Sequence, residues 1–515
     1  MKTSIAALAA ILVSTAAAQT FHVAGTVVDS ETAAPLGRTR VFLTGGPVPE
    51  QSVITTGDGK FSFDVPKGTY ALLAAHSGFG ATYGQTRSGS SYSSIVTGPD
   101  QDTTGIVMRW RAPIAIHGRV FDDLGEPVYD AKVELFGEAV AGGKKRVVSL
   151  GRAASDEQGN YSFSSYPGGT YYIAATGAPW YFTESNARQM LTEAGKPPVS
   201  YALTYFPSGN DPRAATPLVL HPGAELQADI ALHPAIGSTL RFACPSSPCE
   251  GAVSLFAVGP AGVETLVEAT IPTETIPAVL PGRYVARYTG PEGNMRKVIE
   301  VGGGDVTVEI IPKTVPTLTG KITLQNPEEQ PRQPVYVTLL DEVTGQTFPT
   351  ALDANGSFSF PAVPVSRVRL VLSGADGFFV TRMSVEGATE KDGAIEVVDG
   401  ARVQVNLAVS GQNSRLKGFV MNGDKPVPAV MVILAPPAGS ADPFSYHAFQ
   451  TDSDGSFDFT AVPGGGYVLF ATDDLELEYT NQETARPYLA SGKRVRIEPH
   501  AVETENIGLT LAVHH

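Results

Sequence analysis

One feature constrains this chain more than any other: a short motif that returns at intervals of about one hundred residues. Asp58-Gly59-Lys60-Phe61-Ser62-Phe63, Gln158-Gly159-Asn160-Tyr161-Ser162-Phe163, Asn355-Gly356-Ser357-Phe358-Ser359-Phe360 and Asp454-Gly455-Ser456-Phe457-Asp458-Phe459 share one pattern. Their glycines are 100, 197 and 99 residues apart, and the middle interval is close to two periods. It predicts a fifth unit that has lost the motif. Each glycine is followed by alternating aromatic and polar residues, which put two rings on one face of a strand. Three of the four are Asp-Gly or Asn-Gly, the preferred pair where both central residues need positive φ, so the motif predicts a β-hairpin turn.

The surroundings of the motif repeat as well. Val65-Pro66-Lys67-Gly68-Thr69-Tyr70, Tyr166-Pro167-Gly168-Gly169-Thr170-Tyr171 and Val462-Pro463-Gly464-Gly465-Gly466-Tyr467 each set a Pro/Gly turn before an aromatic-led strand. Leu280-Pro281-Gly282-Arg283-Tyr284 supplies this part in the degenerate unit, and Val363-Pro364 ahead of Val368 supplies it in the fourth. Upstream, strands led by Gly25, Gly118, Gly320 and Gly418 open the other units. Period-two stretches such as Val306-Thr307-Val308-Glu309-Ile310 and Val403-Gln404-Val405-Asn406-Leu407 close them. Short strands at regular spacing, with turn signals between them, read as an all-β chain of tandem antiparallel β-sandwiches. The expected units are 19–112, 113–236, 237–313, 314–412 and 413–515. Short helical insertions are expected in units two and five, around 184–194 and 473–490.

Composition agrees. The 515 residues hold 54 glycines and 39 prolines, about half as much again as the usual share of about 12%. Charged residues are 17%, below the usual level of about 25%, while hydrophobic residues reach 42%, too many for a disordered polyelectrolyte. A formal net charge of −15 argues against nucleic acid as a partner. Lys2, an apolar run from Ile5 to Ala16 and the small residues Ala16-Ala17-Ala18 predict a signal peptide over 1–18, and hence export to the periplasm or the cell exterior. No later stretch approaches the ~18 apolar residues of a transmembrane helix. Cys244 and Cys249 are the only cysteines, and without a nearby His they supply half the ligands zinc requires. A disulfide between them is expected, pinning the opening turn of the third unit.

An opening strand, a Gly-x-Pro turn, Asp-x-x-Gly-x-Phe-x-Phe and a Tyr-led strand after a Pro-Gly turn together resemble the carboxypeptidase regulatory-like family. The resemblance rests on Asp156 to Phe163, Asp353 to Phe360 and Asp452 to Phe459. It implies a transthyretin-like (prealbumin-type) sandwich, of the carbohydrate-binding-like fold group. Its members are accessory modules of folding, docking or binding, and they carry no catalytic residues to transfer.

Reactive chemistry finds little support in the residues. His-Glu-x-x-His and Gly-x-Ser-x-Gly are absent. Asp452-Ser453-Asp454-Gly455 begins like a calcium loop, but the sixth and twelfth positions are Phe457 and Pro463 rather than Gly and Glu. A self-formed Lys–Asn cross-link of the pilin type has candidate lysines in Lys321 and Lys417, yet the Tyr-led strands lack the glutamate it needs. Trp180, Tyr181, Tyr201 and Tyr205 concentrate aromatic rings in an insertion of unit two, as a sugar-stacking platform would, or as a satellite cluster of mutually buried rings would. The expectation is therefore a non-enzymatic exported protein that binds or scaffolds at the bacterial cell envelope, with no metal or cofactor. Its partner would be a polysaccharide or an envelope protein. A carbohydrate-binding protein using the unit-two aromatics is the first alternative. A hydrolase with an acidic pair in a cleft at a sandwich junction is the second.

Overall fold

The computed structural model describes residues 19–510 apart from 87–90, 100, 102, 142, 180–198, 211–214, 244–249, 260–263, 271–274, 291–292, 327–333, 343–345, 374–377, 412–413 and 438–444. The chain forms two compact units. The first is built on residues up to Gly84 and on Tyr92–Trp110, with Asp452–Asp454 counted to it; the second takes Gln85–Ser91, Arg111–Thr451 and Gly455–His515. By pairing, the strands of the first four repeats form two sheets each, while those of the fifth form one continuous sheet in which Ile507–Thr510 joins Ser414–Asn422 to Gly465–Thr472. Among the described residues no helix is long and apolar enough to cross a membrane.

Each sandwich follows one plan. Its opening strand lies between an antiparallel strand, which follows the glycine motif wherever that motif is kept and is Thr275–Val279 in the third, and the closing strand, which runs parallel. In the first sandwich Thr20–Asp29 pairs with Lys60–Pro66 and with Ile106–Trp110. The counterparts of the opening strand are Ile114–Phe121, Ser238–Ala243, Thr317–Leu324 and Ser414–Asn422, and each has a parallel closing partner. The sheets are thus mixed rather than wholly antiparallel. Parallel neighbours need a long crossover, and here the rest of the sandwich serves as that crossover. The second sheet centres on the second apolar strand, as when Arg40–Gly45 pairs with Gln51–Ile54 and with the Tyr-led strand Gly68–His76.

The repeated glycine turn is a corner between sheets, not a hairpin within one. Gln51–Ile54 before the turn belongs to the second sheet, and Lys60–Pro66 after it belongs to the first. The same crossing separates Lys144–Ala154 from Asn160–Tyr166, and Thr347–Ala351 from Ser357–Phe360. Only the glycine of each pair takes positive φ, +74°, +78°, +76° and +75° at Gly59, Gly159, Gly356 and Gly455. Its carbonyl accepts from the opening strand, from Val27 N at 2.9 Å, Val120 N at 2.8 Å, Ile322 N at 2.8 Å and Val420 N at 2.9 Å. Those bonds satisfy the backbone at the crossing and dock the corner onto the first sheet.

Two further couplings explain why distant residues recur together. The glycine of the opening strand faces the first aromatic of the motif in register: Gly25 opposite Phe61, Gly118 opposite Tyr161, Gly320 opposite Phe358 and Gly418 opposite Phe457. A Cβ on Gly320 would lie 2.2 Å from Phe358 Cζ, so the ring occupies the space a side chain would take. The hydroxyl of the Tyr-led strand donates back to the proline carbonyl four residues earlier, at 3.0 Å from Tyr70 to Pro66 and 2.9 Å from Tyr467 to Pro463; Tyr171 does the same to Pro167. The core of each sandwich lies between its sheets, for example Leu318, Val337, Leu339, Phe358, Phe360 and Val405 in the fourth. In the fifth, the helix Gln482–Ser491 covers the second half of the expected insertion and runs one residue past it, with Asn481 Oδ1 capping Glu483 N at 3.0 Å. Tyr488 on that helix stacks on Phe470 at 5.4 Å between ring centroids. The expected helix around 184–194 lies outside the described residues.

Candidate functional site

The aromatic insertion of unit two is described only in part. Trp180 and Tyr181 lie outside the described residues, as do Cys244 and Cys249 and so the expected disulfide. Tyr201 and Tyr205 sit on the strand Val199–Tyr205, which pairs antiparallel with the Tyr-led strand Gly169–Gly177. Tyr201 is 5% exposed and joins the main core of the second sandwich. Tyr205 is 1% exposed and packs with Phe136 and Ala174 in a smaller cluster. Neither ring offers a face to solvent, so neither can stack on a sugar without leaving its core.

The remaining candidate chemistry resolves residue by residue. Lys321 stands opposite Asn406 across the parallel pair that joins the opening and closing strands of the fourth sandwich. Both side chains lie on the solvent side of the sheet, and Lys417 is exposed as well. Amide formation between such groups needs an amine held out of water, which an exposed lysine is not. One His-x-x-Glu spacing escaped sequence reasoning, His500 to Glu503. His500 is exposed in a turn just before the short strand Val502–Thr504. Among the described residues no group of three or more His, Cys, Asp or Glu could hold a metal ion.

A cleft of about 740 Å³ with mixed chemistry lies where the fourth and fifth sandwiches meet within the second compact unit. It is lined by Arg369–Leu372, Phe378, Phe379 and Met383 of the fourth sandwich and by His447, Pro463 and Tyr467 of the fifth. Burial lowers the pKa of His447, which favours a neutral imidazole set edge-on to Phe459 and Tyr467 at 6.5 and 6.4 Å. Glu390 is the single carboxylate among the described lining residues. The paired acids that hydrolysis would require do not converge among them.

Beside the cleft stands a charge cluster that sequence reasoning missed. Glu342 takes Arg367 Nε on one carboxylate oxygen and Arg369 Nε on the other, each at 2.7 Å. Arg369, only 4% exposed, also donates to the Asp392 carbonyl at 2.9 Å. Burial pushes the Glu342 carboxyl up, but hydrogen bonds and charge from Arg369 and Arg367 outweigh it and hold the group below the usual range. The available signal was the Arg-x-Arg spacing on one strand, which puts both guanidiniums on one face. Arg146, from the second sandwich, donates to the Glu342 carbonyl at 2.9 Å.

Comparison with known proteins places the first sandwich. Residues 22–104 match the model of the carboxypeptidase regulatory-like domain. No curated protein matches the chain. Solved structures similar to it include the Bacillus anthracis TIE protein, at 10% identity over 76% of this chain and 74% of that one, with a TM-score of 0.17. A streptococcal ancillary pilin matches at 10% identity over 57% of this chain and 100% of its own, with a TM-score of 0.17. Two B repeat units of the collagen-binding protein of Staphylococcus aureus match at 13% identity over 76% of this chain and 100% of theirs, with a TM-score of 0.13.

Proposed function

We propose that this chain is an exported, non-enzymatic protein of the bacterial cell envelope that binds or scaffolds. Its tandem sandwiches would act as rigid supports that hold loops and sheet edges out for a partner. One observation carries the reading: the residues that recur from unit to unit are consumed by architecture. The strand glycines make room for a motif ring and, at Gly25, Gly118 and Gly418, for a backbone carbonyl of the closing segment, the motif glycines turn the corners, and the tyrosines bond to their proline carbonyls. A repeat that preserved a reaction would be expected to repeat a reactive group. The regulatory-like match over the first sandwich supports the same reading, because that resemblance implies an accessory module.

Two measurements test it. Expression of the full chain in a bacterium, followed by fractionation and N-terminal sequencing, should yield an exported protein beginning at Gln19. An uncleaved chain retained in the cytoplasm would remove the envelope assignment. Screening the purified protein against peptidase, esterase and glycosidase substrates should give no turnover; saturable turnover by the pure protein would overturn the non-enzymatic assignment.

A further inference from the structure

The fourth sandwich departs from its siblings at one edge. In the first, second, third and fifth sandwiches the inward residues of the Tyr-led strand are sealed by a following strand. Phe79–Thr82 covers Leu73–His76, Val199–Tyr205 covers Ala174–Gly177, Gly293–Val301 covers Gly282–Gly290, and Lys493–Ile497 covers Gly465–Leu469. In the fourth, the strand that follows, Phe379–Glu386, has crossed to the first sheet, where it pairs with Arg402–Ser410. Ala394–Glu396 reaches only Arg367 and Val368.

The rest of that edge is open among the described residues. The Arg367 carbonyl accepts from Glu342 N at 2.9 Å on one side of the strand, and the Ser366 carbonyl accepts from Val397 N at 3.0 Å on the other. Alternation therefore directs the backbone N–H and C=O of Leu370 and Leu372 to the side that carries no strand. Burial reports the same gap. The siblings of Leu370 (Leu72, Ile173, Ala286 and Leu469) and of Leu372 (Ala74, Ala175, Tyr288 and Ala471) are 0–2% exposed. Leu370 and Leu372 are only half-buried and line the 740 Å³ cleft.

We infer that this edge is a docking site for an extended segment of a partner polypeptide with apolar residues at alternate positions. The segment would add a strand antiparallel to Arg367–Ser373, beyond the place taken by Ala394–Glu396. The occupant's chemistry is read from the siblings, in which an extended strand fills this position and closes the core. Four residues from Leu370 to Ser373, at about 3.3 Å each, offer about 13 Å of edge. Main-chain hydrogen bonds supply affinity in such strand addition, while the pockets for alternate side chains supply selection. Phe378, Met383 and Tyr467 provide those pockets. The inference rests on strand pairing and burial and holds wherever the protein resides.

Two synthetic peptides serve as probes, copies of Val199–Tyr205 and Gly293–Val301, the strands that close the second and third sandwiches. Fluorescence anisotropy with the full chain should show saturable binding, and hydrogen exchange should show new protection at Leu370 and Leu372. N-methylation of alternate peptide amides should abolish both, because it removes the donors of the ladder. Gly466 lines the same cleft, and a Cβ there would meet only Pro437 Cγ, at 3.8 Å. Gly466→Leu should therefore plug the groove and weaken binding at least tenfold without lowering the melting temperature. Failure of both peptides to bind, binding that survives N-methylation, or protection elsewhere in the chain would overturn the inference. A concentration-dependent dimer abolished by Gly466→Leu would assign the edge to a second copy of the chain and overturn the peptide reading as well.

Discussion

Gly320→Ala in the fourth sandwich tests whether the repeated strand glycines exist to seat the motif aromatics. The new Cβ would fall 2.2, 2.8 and 2.8 Å from the Cζ, Cε1 and Cε2 atoms of Phe358, with no backbone atom among the three nearest. Phe358 is 4% exposed and packed in the core, so the ring cannot swing away freely. Overpacking of this kind costs about 1–3 kcal/mol, and three ring atoms inside contact distance place it near the upper end. Alanine recovers about 0.5–1 kcal/mol of the intrinsic cost of glycine in a strand. The net expected loss is about 2 kcal/mol. Gly25→Ala in the first sandwich differs, because its nearest obstacle is the Ile106 carbonyl oxygen at 2.2 Å, on the backbone of the closing strand. Trimming the ring should therefore rescue one site and not the other. Phe358→Leu added to Gly320→Ala should restore part of the lost stability, whereas Phe61→Leu added to Gly25→Ala should only add to the damage. Urea-dependent hydrogen exchange with mass spectrometry on the full chain reads each sandwich separately, since a multidomain chain has no single unfolding free energy. A loss below about 0.5 kcal/mol for Gly320→Ala, on the scale of ordinary surface changes, would refute the reasoning. Equal rescue at both sites would refute it too.

Other expected outcomes follow from single contacts. Tyr467→Phe removes the bond to the Pro463 carbonyl and should cost about 1 kcal/mol in the fifth sandwich by the same exchange measurement, leaving the others unmoved. Thr451 is buried, accepts from Val430 N at 3.0 Å and donates to the Val427 carbonyl at 2.9 Å. Thr451→Val should therefore cost about 2 kcal/mol by orphaning both groups, and Thr451→Ser should cost much less. Glu342→Gln leaves Arg369 buried without its counter-charge and should cost about 2–3 kcal/mol, below the ~3–5 kcal/mol of a fully buried broken pair because Glu342 keeps 16% side-chain exposure. Because the folded pKa of Glu342 is depressed, its stabilisation is present above the unfolded value near 4.5 and is lost as pH falls through the folded value. Stability of the fourth sandwich, measured between pH 6 and 3, should fall less steeply in Glu342→Gln than in the parent chain.

Local signals reached far in this chain. Phe61 and Phe63 alternate with polar residues because one strand face is buried, and both rings are buried as that alternation requires. The glycine motif was read correctly as a turn with positive φ at its glycine, and wrongly as a hairpin with positive φ at the preceding residue too. The same Gly59 conformation serves either geometry, and the choice depends on which distant strand offers the next hydrogen bonds. Buried hydroxyls recur at Thr55, Ser155 and Thr451, each donating to the carbonyl that follows the proline of the turn after the opening strand (Leu36, Val128 and Val427), at 2.8, 2.5 and 2.9 Å. They were invisible in the sequence because small polar residues just ahead of the glycine motif look like ordinary turn composition. Tyr201 and Tyr205 looked like candidates for stacking because composition cannot tell a ring facing solvent from one packed on Phe136.

By itself the sequence determined the period, the all-β class and the face of each strand that is buried. These are local properties, carried by side-chain alternation and by the φ that glycine permits. Only the tertiary structure decided which sheet each strand joins. Both sheets of a sandwich bury their inner faces in one core, so an alternating strand satisfies the hydrophobic effect equally well in either. The parallel seat of every closing strand and the crossing of Phe379–Glu386 that opens the fourth sandwich were settled by backbone partners far away in the chain.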